Sequence, residues 1–237
     1  MSDHRDIPQR FNDEALGHVL VSDGGGTPRP AVIIVPTVMG ISDLEMGFAE
    51  RLVGLGYCVL IADLFGTAFR GAARDTMFGE MNRLLEDRAS LCDRMTSVLD
   101  LAKQQAEVDA AKVAVIGYCF GGLCALDLAR SGADFQGAAS FHGLFKPPGL
   151  PANAVKPKVI AFHGWDDPMV PPEDVAALGQ ELTASGCDWQ IHAYGHVGHG
   201  FTNPNAHEIG IDGVTYDEDA ARRSWTSLED FLAECLR

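Results

Sequence analysis

Val113-Ala114-Val115-Ile116-Gly117-Tyr118-Cys119-Phe120-Gly121-Gly122-Leu123-Cys124-Ala125-Leu126 is the stretch on which the fold turns. Val113 to Ile116 form an unbroken aliphatic run, which reads as a strand buried on both faces. Leu123 to Ser131 carries apolar residues compatible with a helix. Only Gly117 to Gly122 separate the two, so the turn between them is very sharp. Glycine flanks it because a side chain at these positions would strike the neighbouring strand or helix. Cys119 stands at the apex, where a G-x-nucleophile-x-G elbow carries its nucleophile, with cysteine in place of the more familiar serine.

Outward from this elbow, short apolar runs recur with helical stretches between them, the signature of βαβ units. Ala31–Val35, Tyr57–Ala62, Ala138–Phe141, Val159–Phe162 and Trp189–Ala193 read as further strands. Ser42-Asp43-Leu44-Glu45 has the form of a capping box and predicts a helix running to about Gly56. The spacing of Leu84, Leu85, Leu91, Met95, Val98, Leu99 and Ala102 predicts one helix from about Met81 to Glu107. Asp63–Gly79, dotted with glycine, reads as loop. Pro171-Pro172-Glu173-Asp174 opens another helix, and Asp217–Leu236 closes the chain as the last. A small hairpin from Gly17 to Ser22 is expected at one edge. The expected architecture is α/β, a three-layer α/β/α sandwich, with residues 1–237 forming a single domain and no linker of low complexity inside it.

Composition narrows the function classes. Acidic residues outnumber basic ones 33 to 18, a formal charge of -15, and repulsion from phosphate argues against a nucleic-acid partner. No apolar run approaches the roughly 20 residues needed to span a bilayer, and no leader-like h-region opens the chain, so a soluble cytoplasmic protein without membrane association is expected. The six cysteines contain no CxxC pair, and a reduced state follows for an intracellular chain.

A thiol nucleophile needs a base, and eight histidines are available. Chemistry in an open α/β sheet gathers at the carboxyl ends of strands, which disfavours His4 and His18. His199, in Gly198-His199-Gly200-Phe201, follows the last strand on a short loop and is the expected base, with His196 and His192 its nearest competitors. The orienting acid should come from the loop after Val159–Phe162, where Asp166 and Asp167 compete for one role. The resulting chain order is nucleophile, acid, base.

On these residues the chain resembles the dienelactone hydrolase family of α/β-hydrolases, whose fold has a mostly parallel sheet. The resemblance runs from Ala31 to Phe201. It is carried by Gly117-Tyr118-Cys119-Phe120-Gly121-Gly122, by Gly164-x-x-Asp167-x-x-Val170-Pro171 and by His199-Gly200-Phe201. It implies Cys119 as nucleophile, His199 as base and Asp167 as its acid, with the oxyanion held by the amides of Phe120 and Val38. It implies hydrolysis of a carboxylic ester or lactone through a thioester, with no cofactor and no metal. Thr37, Met39, Phe65, Trp165 and Phe201 are expected pocket walls. The partner is then a small-molecule ester or lactone, and the chain a monomer or homodimer.

The sequence also departs from the family. Thr37 stands where family members carry a glutamate that helps deprotonate the thiol. Gly66-Thr67 and Asn203 stand where arginines hold a substrate carboxylate, and Arg70 or Arg74 are the candidates to replace them. These departures point to a less anionic ester, lactone or thioester than dienelactone. A thioesterase or acyltransferase, and a catalytically silent binding scaffold, are the alternatives. A metal site at His192, His196 and His199 is disfavoured by Gly195 and Gly198, which break the helix that would bring the three together.

Overall fold

The computed structural model describes residues 2–151 and 153–237. Among these, eight strands form one sheet: β1 (Asp3–Phe11), β2 (Glu14–Ser22), β3 (Arg29–Val35), β4 (Cys58–Ile61), β5 (Val108–Tyr118), β6 (Gly137–Phe141), β7 (Lys158–Gly164) and β8 (Trp189–Tyr194). Their spatial order is β1-β2-β4-β3-β5-β6-β7-β8. Every pairing from β4 to β8 is parallel, whereas β1 and β2 are antiparallel. The helices are α1 (Asp43–Gly54), α2 (Arg74–Glu86), α3 (Arg88–Lys103), α4 (Phe120–Arg130), α5 (Pro172–Ser185) and α6 (Glu218–Cys235).

The aliphatic runs are continuous because both sheet faces are covered. On one face Phe48 and Leu52 of α1 and Trp225, Leu228 and Phe231 of α6 pack with Ile34, Ile116 and Phe141. On the other, Met95 and Val98 of α3, Leu123 and Leu126 of α4 and Leu178 of α5 pack with Ile33, Val115 and Ala161. No helix among the described residues is long and apolar enough to cross a membrane.

Three expectations need correction. The edge hairpin spans Asp3 to Ser22, in two strands of nine residues each, not Gly17 to Ser22 alone. The single helix expected over Met81–Glu107 is two, because Asp87 leaves helical geometry (φ -124°, ψ 77°) and its carboxylate caps the amide of Ser90 at 2.9 Å, which starts α3. The loop expected over Asp63–Gly79 already contains a 3-10 turn, Thr67–Phe69, and the first turns of α2 from Arg74. The capping box at Ser42 is present as read, the Glu45 carboxylate accepting the Ser42 amide at 3.0 Å.

Candidate active site

The elbow forms because β5 and α4 have no room between them. A Cβ on Gly117 would lie 2.0 Å from the carbonyl oxygen of Gly121, and one on Gly121 would lie 2.1 Å from that of Val35. Cys119 is left at φ 55°, ψ -115°, a strained conformation for a residue with a side chain. Its own amide is tied to the Phe141 carbonyl at 2.9 Å, and its carbonyl accepts the amides of Gly122 and Leu123, at 3.0 and 3.2 Å. The sulfur is thus fixed at the first turn of α4, where the helix dipole favours a thiolate.

Two loops meet this elbow. Trp165 N–H donates to Tyr194 O, and Asp166 N–H to Val197 O, both at 2.9 Å, so the loop after β7 is laced to the loop after β8. Gly164 permits the approach, since a Cβ there would lie 2.3 Å from the Gly198 carbonyl oxygen. His199 is held from both sides, its amide donating to Gly213 O at 2.8 Å and its carbonyl accepting from Thr215 N at 3.0 Å. Asp167 Oδ2 lies 2.7 Å from His199 Nδ1, with both side chains buried. The other carboxylate oxygen accepts the Met169 amide at 2.8 Å. Asp166 is instead exposed, 3.7 Å from the fully exposed His196. The adjacent aspartates therefore serve two different histidines, one pair buried and one at the surface.

Nε2 of His199 is buried without a hydrogen-bond partner among the described residues, and Cys119 is the charged neighbour that acts on the ring most strongly. Burial opposes a charge on the thiol, but the field and hydrogen bonding of His199 outweigh it and lower the Cys119 pKa. Burial likewise opposes the imidazolium, yet Cys119 and Asp167 push His199 up to about 10. The two shifts run in opposite senses, each group favouring the charged form of the other. Elsewhere burial pushes Cys58 up to about 11 and Cys235 up to about 12, and raises Cys124 well above the ordinary thiol value. Iodoacetamide should therefore alkylate Cys119 first. Because the thiolate exists above the lowered pKa, the rate should fall away on acidification only below the ordinary thiol midpoint of about 8.5. A midpoint at or above that value, read by mass spectrometry of the alkylated peptides, would contradict the ion pair.

The Phe120 amide hydrogen-bonds to Cys119. In the loop after β3, Thr37 Oγ1 accepts the Met39 amide at 3.2 Å and Thr37 O accepts that of Gly40 at 3.0 Å, turn bonds that do not use the Val38 amide. Of the expected pocket walls, Trp165 is exposed, Thr37 and Met39 are partly so, and Phe65 is buried against Phe120 with ring centroids 5.3 Å apart. Phe201 is fully buried in the cluster under α1 and α6, where it packs on His142 and Tyr194 and backs the histidine loop. Arg70 donates to Gly17 O, and Arg74 to Ile209 O at 2.6 Å, so both guanidinium groups are engaged by backbone carbonyls. His192 is on β8, edge-on to Phe162, and does not join His196 or His199.

One neighbour of the site escaped the sequence reading. His142, at the end of β6, is buried at φ 39° with its Nε2 2.9 Å from Thr202 Oγ1, and its ring lies edge-on to His199 at 5.1 Å. Its place after a strand, the rule that favoured His199, was the available signal.

A family model described as the dienelactone hydrolase family matches residues 17–236. The chain belongs to the dienelactone hydrolase family. Its sheet and helices match those of the crystal structure of a dienelactone hydrolase-like promiscuous phosphotriesterase from metagenomic libraries, with a TM-score of 0.94 and 33% identity over 100% of this chain and 99% of that one. The human carboxymethylenebutenolidase homolog is 26% identical over 198 residues, 81% of this chain and 78% of the relative. An uncharacterised protein of Caenorhabditis elegans is 35% identical over 146 residues, 60% of this chain and 92% of the relative. The fold is thus the α/β-hydrolase fold of dienelactone hydrolases.

Proposed function

We propose that this dienelactone hydrolase family member cleaves neutral carboxylic esters or lactones through a thioester on Cys119. The observation that carries this reading is the buried 2.7 Å contact of Asp167 with His199 Nδ1, which presents Nε2 to a thiol fixed on a strained elbow. Cys119 Sγ attacks the acyl carbonyl carbon, and the carbonyl electron pair moves onto oxygen, where the Phe120 and Val38 amides receive it. Collapse of this intermediate breaks the bond to the alkoxide, which leaves with the proton of His199 Nε2. Water then gives a proton to Nε2 as it attacks the thioester. The C–S bond breaks, the acid departs, and the thiolate–imidazolium pair is restored. Asp167 holds the ring throughout.

Neutral acyl groups are favoured because Arg70 and Arg74 are tied to backbone carbonyls and because Thr37 and Asn203 bring no charge. The expected result is release of p-nitrophenolate from p-nitrophenyl acetate and butyrate, with authentic dienelactone turned over at least about 10-fold less efficiently. Dienelactone turnover at a kcat/KM of about 10⁴ M⁻¹s⁻¹ or above, exceeding that for the aryl esters, would overturn the substrate assignment.

The structural relative named as a promiscuous phosphotriesterase supports a second, slower substrate class. A neutral phosphotriester offers an electrophilic centre and a developing oxyanion to the same thiol and the same two amides. Release of p-nitrophenolate from diethyl p-nitrophenyl phosphate by the wild type tests this.

A further inference from the structure

Behind the thiol, on the sheet face covered by α1 and α6, lies a groove of about 630 Å³, within the usual range of ligand pockets. Its floor is aromatic. Trp225 stacks on Phe48 with ring centroids 5.8 Å apart, Phe48 on Tyr118 at 4.6 Å, and Tyr118 on Phe141 at 4.7 Å. At the mouth the Arg51 guanidinium sits 3.7 Å above the Trp225 ring. Tyr118 is only 1% exposed, and its hydroxyl has no hydrogen-bond partner among the described residues. A buried hydroxyl without a partner is costly, and a proton donor in an aromatic groove is matched by an acceptor oxygen on a planar guest.

Charge decides what kind of guest. Arg51 and Arg222 line the groove, but so do Asp43, Glu218 and Glu229, so the mouth carries no net positive charge. The Glu45 carboxylate and the Arg51 guanidinium, both from α1, act on Tyr118 in opposite directions. The lining therefore offers an anion no net attraction.

We propose that this groove is a second ligand site, separate from the thiol, for a small neutral aryl carbonyl compound whose oxygen accepts the Tyr118 hydroxyl. It is wired to the triad by its own walls. Tyr118 is peptide-bonded to Cys119, and Thr202, at the rim, holds His142 against His199. An occupant therefore reaches the nucleophile and the base without entering the acyl site.

The test is a ¹H–¹⁵N chemical-shift titration with acetophenone, with ethylbenzene as the isostere lacking the acceptor, on protein whose Cys119 has been carboxymethylated. Acetophenone should shift the amides of Phe48, Tyr118 and Trp225 saturably and bind about 5- to 10-fold more tightly than ethylbenzene, as one hydrogen bond allows. Tyr118→Phe should bring the two affinities together. Gly47 lies on the groove, and a Cβ there meets nothing within 4 Å, so Gly47→Trp should fill the groove without disturbing the fold and abolish binding of both compounds. Equal affinities for the two compounds in the wild type, binding that survives Gly47→Trp, or the lack of a saturable shift at these amides would each overturn the proposal.

Discussion

Cys119→Ala should lower kcat/KM for p-nitrophenyl acetate by about 10⁴-fold or more while leaving the melting temperature within a few degrees of the wild type. The size follows from what the sulfur does. It is the one atom that forms a bond to the acyl carbon, and removal of a nucleophile from a coupled triad costs about as much as removal of the whole triad. The residual rate, above that in water, reports what the Phe120 and Val38 amides contribute alone. Stability is spared because only one atom is lost, from a residue that is already partly exposed. Comparable turnover by the alanine variant, at equal concentrations of folded protein, would remove Cys119 from the chemistry.

Gly121→Ala should be among the most damaging of the single-methyl changes. Its Cβ would lie 2.1 Å from the carbonyl oxygen of Val35 and 2.6 Å from that of Pro36, and both obstacles are backbone. The start of α4 must then retreat from β3, which moves Phe120 away from the loop that carries Val38. Overpacking of this kind costs about 3 kcal/mol or more, and for a chain of this length each kcal/mol lowers Tm by about 2–4 °C. Displacing an oxyanion donor by about 1 Å should cost a further 10²-fold in kcat/KM. Gly79, inside α2, is the control. A Cβ there meets nothing within 4 Å, so Gly79→Ala should stabilise the chain by about 0.5–1 kcal/mol with activity unchanged. A Gly121→Ala protein that melts and turns over like the wild type would show that the elbow is less tightly packed than these distances state.

The elbow was readable in the sequence because everything that makes it is local. An aliphatic run, three glycines and a helix follow one another within about a dozen residues, and steric exclusion between strand and helix needs no distant partner to be inferred. The same holds for the parallel strands, whose burial on both faces appears as runs without alternation. β1 was hidden for the opposite reason. In Asp3–Phe11 only Ile7 is fully buried, so an edge strand exposed along most of its length carries almost no apolar signal. The break at Asp87 was masked because the apolar spacing continues across it, and only the aspartate's role as a cap marks the boundary.

In the site, sequence spacing named the loops but could not by itself choose between Asp166 and Asp167. Neighbouring side chains in a turn point in different directions, and only the lacing of two loops 30 residues apart sends one to His199 and the other to His196. His142 was harder still, since its contacts are Thr202 and His199, both far along the chain. The fate of Arg70 and Arg74 depended on acceptors, Gly17 O and Ile209 O, that leave no trace in a sequence because they are backbone carbonyls.

The most direct test of the account is to trap the acyl-enzyme. Wild-type protein mixed with excess p-nitrophenyl acetate, quenched in acid within the first turnovers and digested, should show one acetyl group on the peptide that carries Cys119, lost on treatment with neutral hydroxylamine as a thioester is. The Cys119→Ala protein should show none there. Steady turnover with an unmodified Cys119 peptide at every quench time, or an acetyl group accumulating on another residue at the rate of turnover, would contradict covalent catalysis by this cysteine.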